Sequence, residues 1–318
     1  MEKSSKILVL GHRGMVGSAI VRALKRDGYE NIIKVERPRD LRLQSTVENV
    51  FNSEQIEYVF LAAAKVGGIM ANSTHPAEFI YDNLAIQTNV IHACKEFKVK
   101  KLMFLGSSCI YPRDCSQPIK EEYLMTGKLE ATNDAYAMAK IAGIKMCQAY
   151  HEQYGFDSVC AMPTNLYGPN DNFDLESSHV LPAMVRKFHI GKISCLPVTL
   201  WGTGNPRREF LHADDLAAAL IFMMDHFGGA EVVNVGCGYD IPLKALAEII
   251  AAEVGYIGPV FWAVEKPDGT PRKWLDSSKL FNLGWKPKID LSEGIHKAYQ
   301  WYLENHEGAS SDIILPSV

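Results

Sequence analysis

Lys6-Ile7-Leu8-Val9-Leu10-Gly11-His12-Arg13-Gly14-Met15-Val16-Gly17 is the stretch that decides the fold. Residues 6–10 are a short apolar run, the pattern of a strand buried on both faces. Glycines spaced G-x-x-G-x-x-G follow, and then an amphipathic segment over 18–27. Strand, glycine-rich turn and helix in that order make a glycine motif meaningful. The glycines permit a tight turn and a close backbone approach. The helix N-terminus then offers free N–H groups to a pyrophosphate. The reading is a dinucleotide-binding unit, with a purely structural turn as its plain alternative.

Outward from that turn, 31–35, 57–62 and 101–105 read as further strands, with helical patterns over 46–53 and 79–97 between them. Alternating strands and helices predict an α/β fold with a parallel, right-handed, doubly wound sheet. Ligands of such sheets sit beyond the carboxyl ends of the strands. The loop 11–17, Ala62-Ala63-Ala64 and Gly106-Ser107-Ser108-Cys109 all fall there. At Pro163-Thr164-Asn165-Leu166-Tyr167-Gly168-Pro169 the pattern breaks. Beyond it come shorter elements with many loops: 180–191, 201–204, 207–211, and helices over 213–225, 243–254 and 291–305. This predicts a nucleotide-binding domain over 1–166, to which segments near 199–240 return. A smaller, discontinuous substrate domain is expected mainly over 167–318. The tail 308–318 reads as loosely held.

A second stretch, Asp134-Ala135-Tyr136-Ala137-Met138-Ala139-Lys140, opens a long Ala-rich segment. Positions i and i+4 share a helix face, so Tyr136 and Lys140 sit one turn apart. A nearby ammonium favours the phenolate, which biases a phenol of ordinary pKa about 10 toward passing a proton near neutral pH. A half-buried tyrosine beside a solvated lysine is the plain alternative.

The totals exclude other classes. The chain has 318 residues, 47% hydrophobic and 22% charged, enough for one large or two moderate domains with ample core. A formal net charge of -4 offers no polybasic field for nucleic acid or anionic membrane. No apolar run approaches the roughly 20 residues of a membrane span, and the polar start at Met1 does not read as a signal peptide. The cysteines (94, 109, 115, 147, 160, 195, 237) number 7 and form no C-x2-C pair. A reduced, cytoplasmic protein without a metal site is the expectation.

Taken together these motifs resemble the extended short-chain dehydrogenase/reductase family. That family carries G-x-x-G-x-x-G near the N-terminus, a Ser/Thr after the fourth strand and Y-x-x-x-K about 30 residues later. Here those are Gly11/Gly14/Gly17, Ser107 and Tyr136/Lys140. The match narrows through 11–17, Gly106-Ser107-Ser108-Cys109-Ile110-Tyr111-Pro112, 163–169, Arg208-Glu209-Phe210-Leu211-His212 and Lys266-Pro267-Asp268-Gly269-Thr270-Pro271-Arg272-Lys273. These resemble the branch of the family that acts on GDP-linked 4-keto-6-deoxy sugars, and the likeness runs from about residue 6 to 305.

The resemblance implies a Rossmann-type nucleotide domain and a two-part reaction: epimerisation beside the ketone at C3 and C5, then reduction at C4 by NADPH. It implies Tyr136 as proton donor to the C4 oxygen, with Lys140 bonding the nicotinamide ribose and Ser107 stabilising developing charge. Cys109 is implied as epimerisation base and His179 as acid, since thiol and imidazole titrate near the working range. The other cysteines read as small buried hydrophobes. For NADP(H) it implies Gly11, His12, Arg13, Gly14, Met15, Val16 and Gly17, then Leu105, Gly106 and Ser108, then Pro163, Asn165 and Leu166, with Lys140 and His179. Arg13, Arg37 and Arg39 point to a 2′-phosphate; Glu36, an acid beyond the second strand, points the other way. For the GDP-sugar it implies Lys187, Trp201, Arg208 and Asp276, the cations neutralising the diphosphate. It also implies a homodimer through 79–97 and 136–154, with Ile80, Leu84, Ile91, Ile141, Ile144 and Met146 as candidate contacts. Two competing expectations remain: a C4 reductase of a related GDP-keto sugar such as a heptose or dideoxy sugar, with one or no epimerisation, and a nucleotide-binding regulator without catalysis. The second fits poorly with an intact Tyr136/Lys140 pair.

Overall fold

A computed structural model describes residues 1–36, 39–266 and 268–306; Arg37 and the tail 308–318 lie outside them. In chain order the first strands are β1 (Ile7–Leu10), β2 (Ile32–Lys34), β3 (Tyr58–Leu61), β4 (Lys101–Leu105) and β5 (Ser158–Pro163). They continue as β6 (Asn165–Tyr167), β7 (Val198–Trp201), β8 (Arg207–Arg208), β9 (Phe210–His212), β10 (Glu231–Val235), β11 (Ile241–Pro242), β12 (Val260–Ala263) and β13 (Arg272–Lys273). The helices are α1 (Met15–Arg26), α2 (Gln44–Ser53), α3 (Ile69–Thr74), α4 (Pro76–Glu96), α5 (Asp134–Tyr154), α6 (Val180–Ser194), α7 (Ala213–His226), α8 (Leu243–Val254), α9 (Ser278–Asn282) and α10 (Leu291–His306).

A parallel sheet of 6 strands, in the order β10-β5-β4-β3-β1-β2, forms the centre. The chain runs from β1 out to β2, then resumes as β3 on the other side of β1. Strand order therefore reverses between β1 and β3, where doubly wound sheets hold their ligand. The last strand, β10, comes from beyond the break at 163–169. β1 is buried at every position, as its unalternating apolar run demands.

Each sheet face has its own core. One joins Leu8, Leu10, Leu61, Leu102 and Phe104 to apolar residues of α2, α4 and α5. The other joins Ile7, Val9, Phe60 and Met103 to α1 and α7. A separate core gathers α6, α8 and α10 around Tyr167, Phe188 and Leu246.

Several boundaries move from those the sequence suggested. α1 begins at Met15, not 18, because the extended Gly14 caps it and Gly17 already lies in its first turn. α4 begins at Pro76, where a missing N–H costs nothing. The candidate dimer contacts need a larger correction. Ile91, Ile144 and Ile141 are 0%, 0% and 5% exposed, because they close the core against the sheet. The outward face of α4 and α5 instead shows Tyr81, Met138, Ala142, Ala149 and Tyr154, with Ile80, Leu84 and Met146 half-buried.

Candidate active site

β1 ends against the glycine turn, and two of its glycines are sterically required. Gly11 has φ +84, and a Cβ there would lie 2.6 Å from the Ala63 amide nitrogen. A Cβ on Gly17 would lie 2.1 Å from the Gly11 carbonyl oxygen. The turn is thus pressed between β3 and the start of α1. No side chain caps α1 at Gly14, and Ser18 makes the first helical bond, to the Gly14 carbonyl at 2.9 Å. The amides of Met15, Val16 and Gly17 are left for an anion. This cradle fits a dinucleotide pyrophosphate.

The region read as the 2′-phosphate site is mixed in charge. Arg13 hydrogen-bonds Glu36 and holds that carboxyl below its usual range, while His12 Nε2 lies 3.4 Å from Glu36. Glu36 therefore engages one of the arginines read as a 2′-phosphate contact. Arg39 lines an open cavity of about 460 Å³ with Arg42, Ala64, Lys65 and Asp82. Arg42 is bound to Asp40 and Asp82, both at 2.8 Å, and Lys65 to Glu78. Arg39 has no ion-pair partner among the described residues. Arg37 lies outside them. Lys65 was missed from sequence because no spacing ties it to β2.

β4 delivers Leu105, Gly106 and Ser107 to the carboxyl edge. Ser107 Oγ donates to Cys109 Sγ at 3.1 Å and accepts the Cys109 amide at 3.3 Å. That second bond caps the short 3-10 turn 108–110 and fixes Ser107 and Cys109 side by side. α5 brings Tyr136, 9% exposed, and Lys140, 3% exposed, to the same wall. The Lys140 ammonium donates to the Leu105 carbonyl at 2.9 Å and lies 6.0 Å from the Tyr136 ring.

Electrostatics here correct the sequence reading. Burial pushes the Tyr136 hydroxyl well above the usual phenol range; the nearby Cys109 adds to this and Ser107 opposes it. Burial likewise lowers Lys140 to about 8, with Cys109 opposing. Desolvation outweighs the attraction that the Tyr/Lys spacing suggested, so Tyr136 stands protonated, as a donor must.

His179 caps the start of α6, in a loop tied by Asp174 to Ser177 and by the Gly68 amide to the Ser177 carbonyl at 2.9 Å. The imidazole keeps solvent access inside a crowded cleft. That crowding, with Lys273 nearby, lowers its pKa. Lys273 also lines a narrow pocket with Cys109 and Glu130. It was missed as a site residue because only tertiary pairing brings β13 to this wall.

Of the residues read as GDP-sugar contacts, Lys187 donates to the Thr199 carbonyl at 3.0 Å. Its ammonium and that of Lys266 each lie 5.8 Å from the Trp201 ring. Trp201 itself is 57% exposed, an uncovered aromatic platform. Arg208, on β8, pairs in register with Lys273 on β13, and burial lowers its pKa. Asp276 is placed differently. Its carboxylate accepts the Ser278 amide at 3.0 Å and the Ser278 hydroxyl, and its own amide donates to the Ile119 carbonyl at 2.8 Å. It is engaged in the turn that starts α9.

The strands bearing these cations are tied to the cofactor side by Glu209, which is 0% exposed. Its carboxylate accepts the amides of Gly238 at 2.9 Å and Leu275 at 3.0 Å; its carbonyl accepts Asn165 Nδ2 at 2.7 Å. Asn165 and Leu166, on β6, follow Pro163 at the end of β5.

Residues 7–236 match the family described as NAD dependent epimerase/dehydratase. GDP-L-fucose synthase 1 of Arabidopsis thaliana is 56% identical over 306 residues, covering 96% of this chain and 95% of that protein. Among solved structures, a GDP-L-fucose synthetase from Naegleria fowleri bound to NADP superposes with TM-score 0.90 at 28% identity, covering 96% and 95% of the two chains. A GDP-6-OMe-4-keto-L-xylo-heptose reductase from C. jejuni superposes with TM-score 0.89 at 37% identity, covering 96% and 99%.

Proposed function

We propose a two-stage reaction for this chain, which belongs to the NAD dependent epimerase/dehydratase family: GDP-L-fucose synthesis, by C3/C5 epimerisation of GDP-4-keto-6-deoxy-D-mannose and NADPH-dependent reduction at C4. The observation that carries it is the 3.1 Å contact between Ser107 and Cys109 beside the buried Tyr136 and Lys140. One wall thereby offers donors for a carbonyl oxygen and a thiol for a neighbouring C–H.

The ketone acidifies the C–H bonds at C3 and C5, because the carbanion delocalises as an enolate. In the epimerase stage Cys109 removes the ring proton and His179 returns one from the opposite face. Ser107 and Tyr136 donate to the C4 oxygen as negative charge develops there. In the reductase stage Tyr136, protonated by its burial, gives its proton to that oxygen. Lys140, anchored on Leu105, would hold the nicotinamide ribose of the cofactor and orients the phenol.

The cradle of 11–17, with Leu105, Gly106, Ser108, Pro163, Asn165 and Leu166, would hold the dinucleotide, and Arg13 and Arg39 its 2′-phosphate. NADPH bound there supplies the hydride for C4. Lys187, Trp201 and Arg208 would take the GDP moiety, the base stacking on the exposed indole. The outward apolar face of α4 and α5 supports a homodimer through those helices.

Turnover in D2O tests this reading. Deuterium at both C3 and C5 of the product is expected. Deuterium at neither would favour the C4 reductase reading, which the likeness to the heptose reductase keeps open. Cys109→Ala should abolish the exchange while slowly reducing the unepimerised ketone.

A further inference from the structure

We propose that Lys273 is the counter-cation of the epimerisation base, its ammonium holding Cys109 as thiolate; this deepens the assignment of Cys109 above and rests on it. Lys273 and Cys109 line one narrow pocket, reached from different parts of the chain. The backbone around Lys273 is held on every side. Its carbonyl accepts the Glu209 amide at 3.3 Å, the Trp274 amide donates to Gln117 at 2.9 Å, and the Trp274 carbonyl accepts the Ile119 amide at 2.7 Å. The Leu275 amide is fixed by Glu209. Such bracing is what a positioned charge requires.

The other cations of this wall are already engaged. Lys140 donates to Leu105, Arg208 to the Arg207 carbonyl at 2.8 Å, and Arg272 to Asp240 at 2.6 Å. The Lys273 ammonium makes no hydrogen bond and no ion pair among the described residues. Around it stand Cys109, Cys115, Glu130, Arg208 and His179, with Tyr136 and Lys140 across Cys109. Glu130 lies 3.5 Å from Arg113 and is partly neutralised. Burial pushes the Cys115 thiol up despite Lys273, which leaves Cys109 as the acid for Lys273 to balance, and an unbalanced ammonium in such surroundings is costly. Burial disfavours the ammonium and a thiolate at Cys109 favours it. During epimerisation the thiolate takes the ring proton and becomes a thiol. The negative charge passes to the C4 oxygen, where Ser107 and Tyr136 receive it. Lys273 sets how much thiolate is present before that step.

The test is the pH dependence of iodoacetamide alkylation at Cys109, read on its own peptide by mass spectrometry in the substrate-free protein. Lys273→Met should raise the midpoint by about 1 pH unit or more, and Lys273→Arg should restore it toward the unmutated value. An unchanged midpoint in Lys273→Met overturns the proposal, whatever happens to turnover. A reciprocal measurement does not depend on that variant folding: in Cys109→Ser, acylation of the Lys273 amine should move to lower pH, and no movement counts against the pairing. If the midpoints move but the unmutated protein incorporates no deuterium at C3 or C5, the pairing stands and Cys109 as carbon-acid base fails.

Discussion

Ser107 serves Cys109 twice, donating its hydroxyl hydrogen to the sulfur at 3.1 Å and accepting the Cys109 amide at 3.3 Å. The hydroxyl assigned to reduction and the thiol assigned to epimerisation are therefore one rigid unit at the end of β4. The two half-reactions share a wall but not their proton carriers, so substitution should separate them.

Tyr136→Phe removes the proton given to the C4 oxygen in reduction and one of the two donors to that oxygen in epimerisation. NADPH oxidation should fall by about 10²–10⁴-fold, while NADPH affinity by fluorescence titration persists and deuterium exchange at C3 and C5 continues more slowly, with Ser107 as the remaining donor to the C4 oxygen. Near-normal turnover would show that Tyr136 is not the donor.

Arg13 and Arg39 are the proposed 2′-phosphate contacts, and Glu36 opposes them. With Arg13 and Arg39 both changed to Ala, the ratio of kcat/KM for NADPH over NADH should drop by about 10-fold or more, since each lost charge-assisted bond is worth roughly 1.5–3 kcal/mol. Equal efficiency with both cofactors in the unmutated protein would instead mean that Glu36, bound to Arg13, governs the site.

Asp171 gives a pH-dependent stability. One of its carboxylate oxygens is buried without a hydrogen-bond partner, and burial raises its pKa from 3.8 to about 7. The folded chain then binds this proton more tightly than the unfolded chain. The stability it contributes is complete below about 4 and is lost as pH rises through about 7. Asp171→Asn should be more stable than the unmutated protein at pH 8, by about 1–3 kcal/mol, with little difference at pH 4. Thermal denaturation at the two values checks this; equal gains at both would place the effect elsewhere.

The homodimer proposed above would join through the outward face of α4 and α5. Light scattering at micromolar concentration should give the mass of a dimer, and Ala142→Arg, an exposed position on α5, should give a monomer with unchanged helical content. A monomeric mass for the unmutated chain would contradict the expectation.

The sequence by itself determined the elements and the local chemistry. The unalternating run 7–10, the glycine spacing 11–17 and the Tyr136/Lys140 spacing act over a few residues, where strand burial, turn geometry and helix periodicity are fixed by neighbours along the chain. The parallel sheet and the gathering of Ser107, Cys109, Tyr136 and Lys140 follow from those signals and from the rule that ligands sit at strand ends. Tertiary structure decided what depends on distance and burial. Ile91, Ile141 and Ile144 are core because two helices press them onto one sheet face, which helix periodicity cannot tell from a second free face. Tyr136 stands above the usual phenol range because desolvation at that depth and the nearby Cys109 outweigh its hydrogen bond with Ser107. Lys273 joins Cys109 and His179 only because β13 pairs with β8 and Glu209 clamps both. Such long-range pairing leaves no local pattern, and the charge balance of the site is set by it.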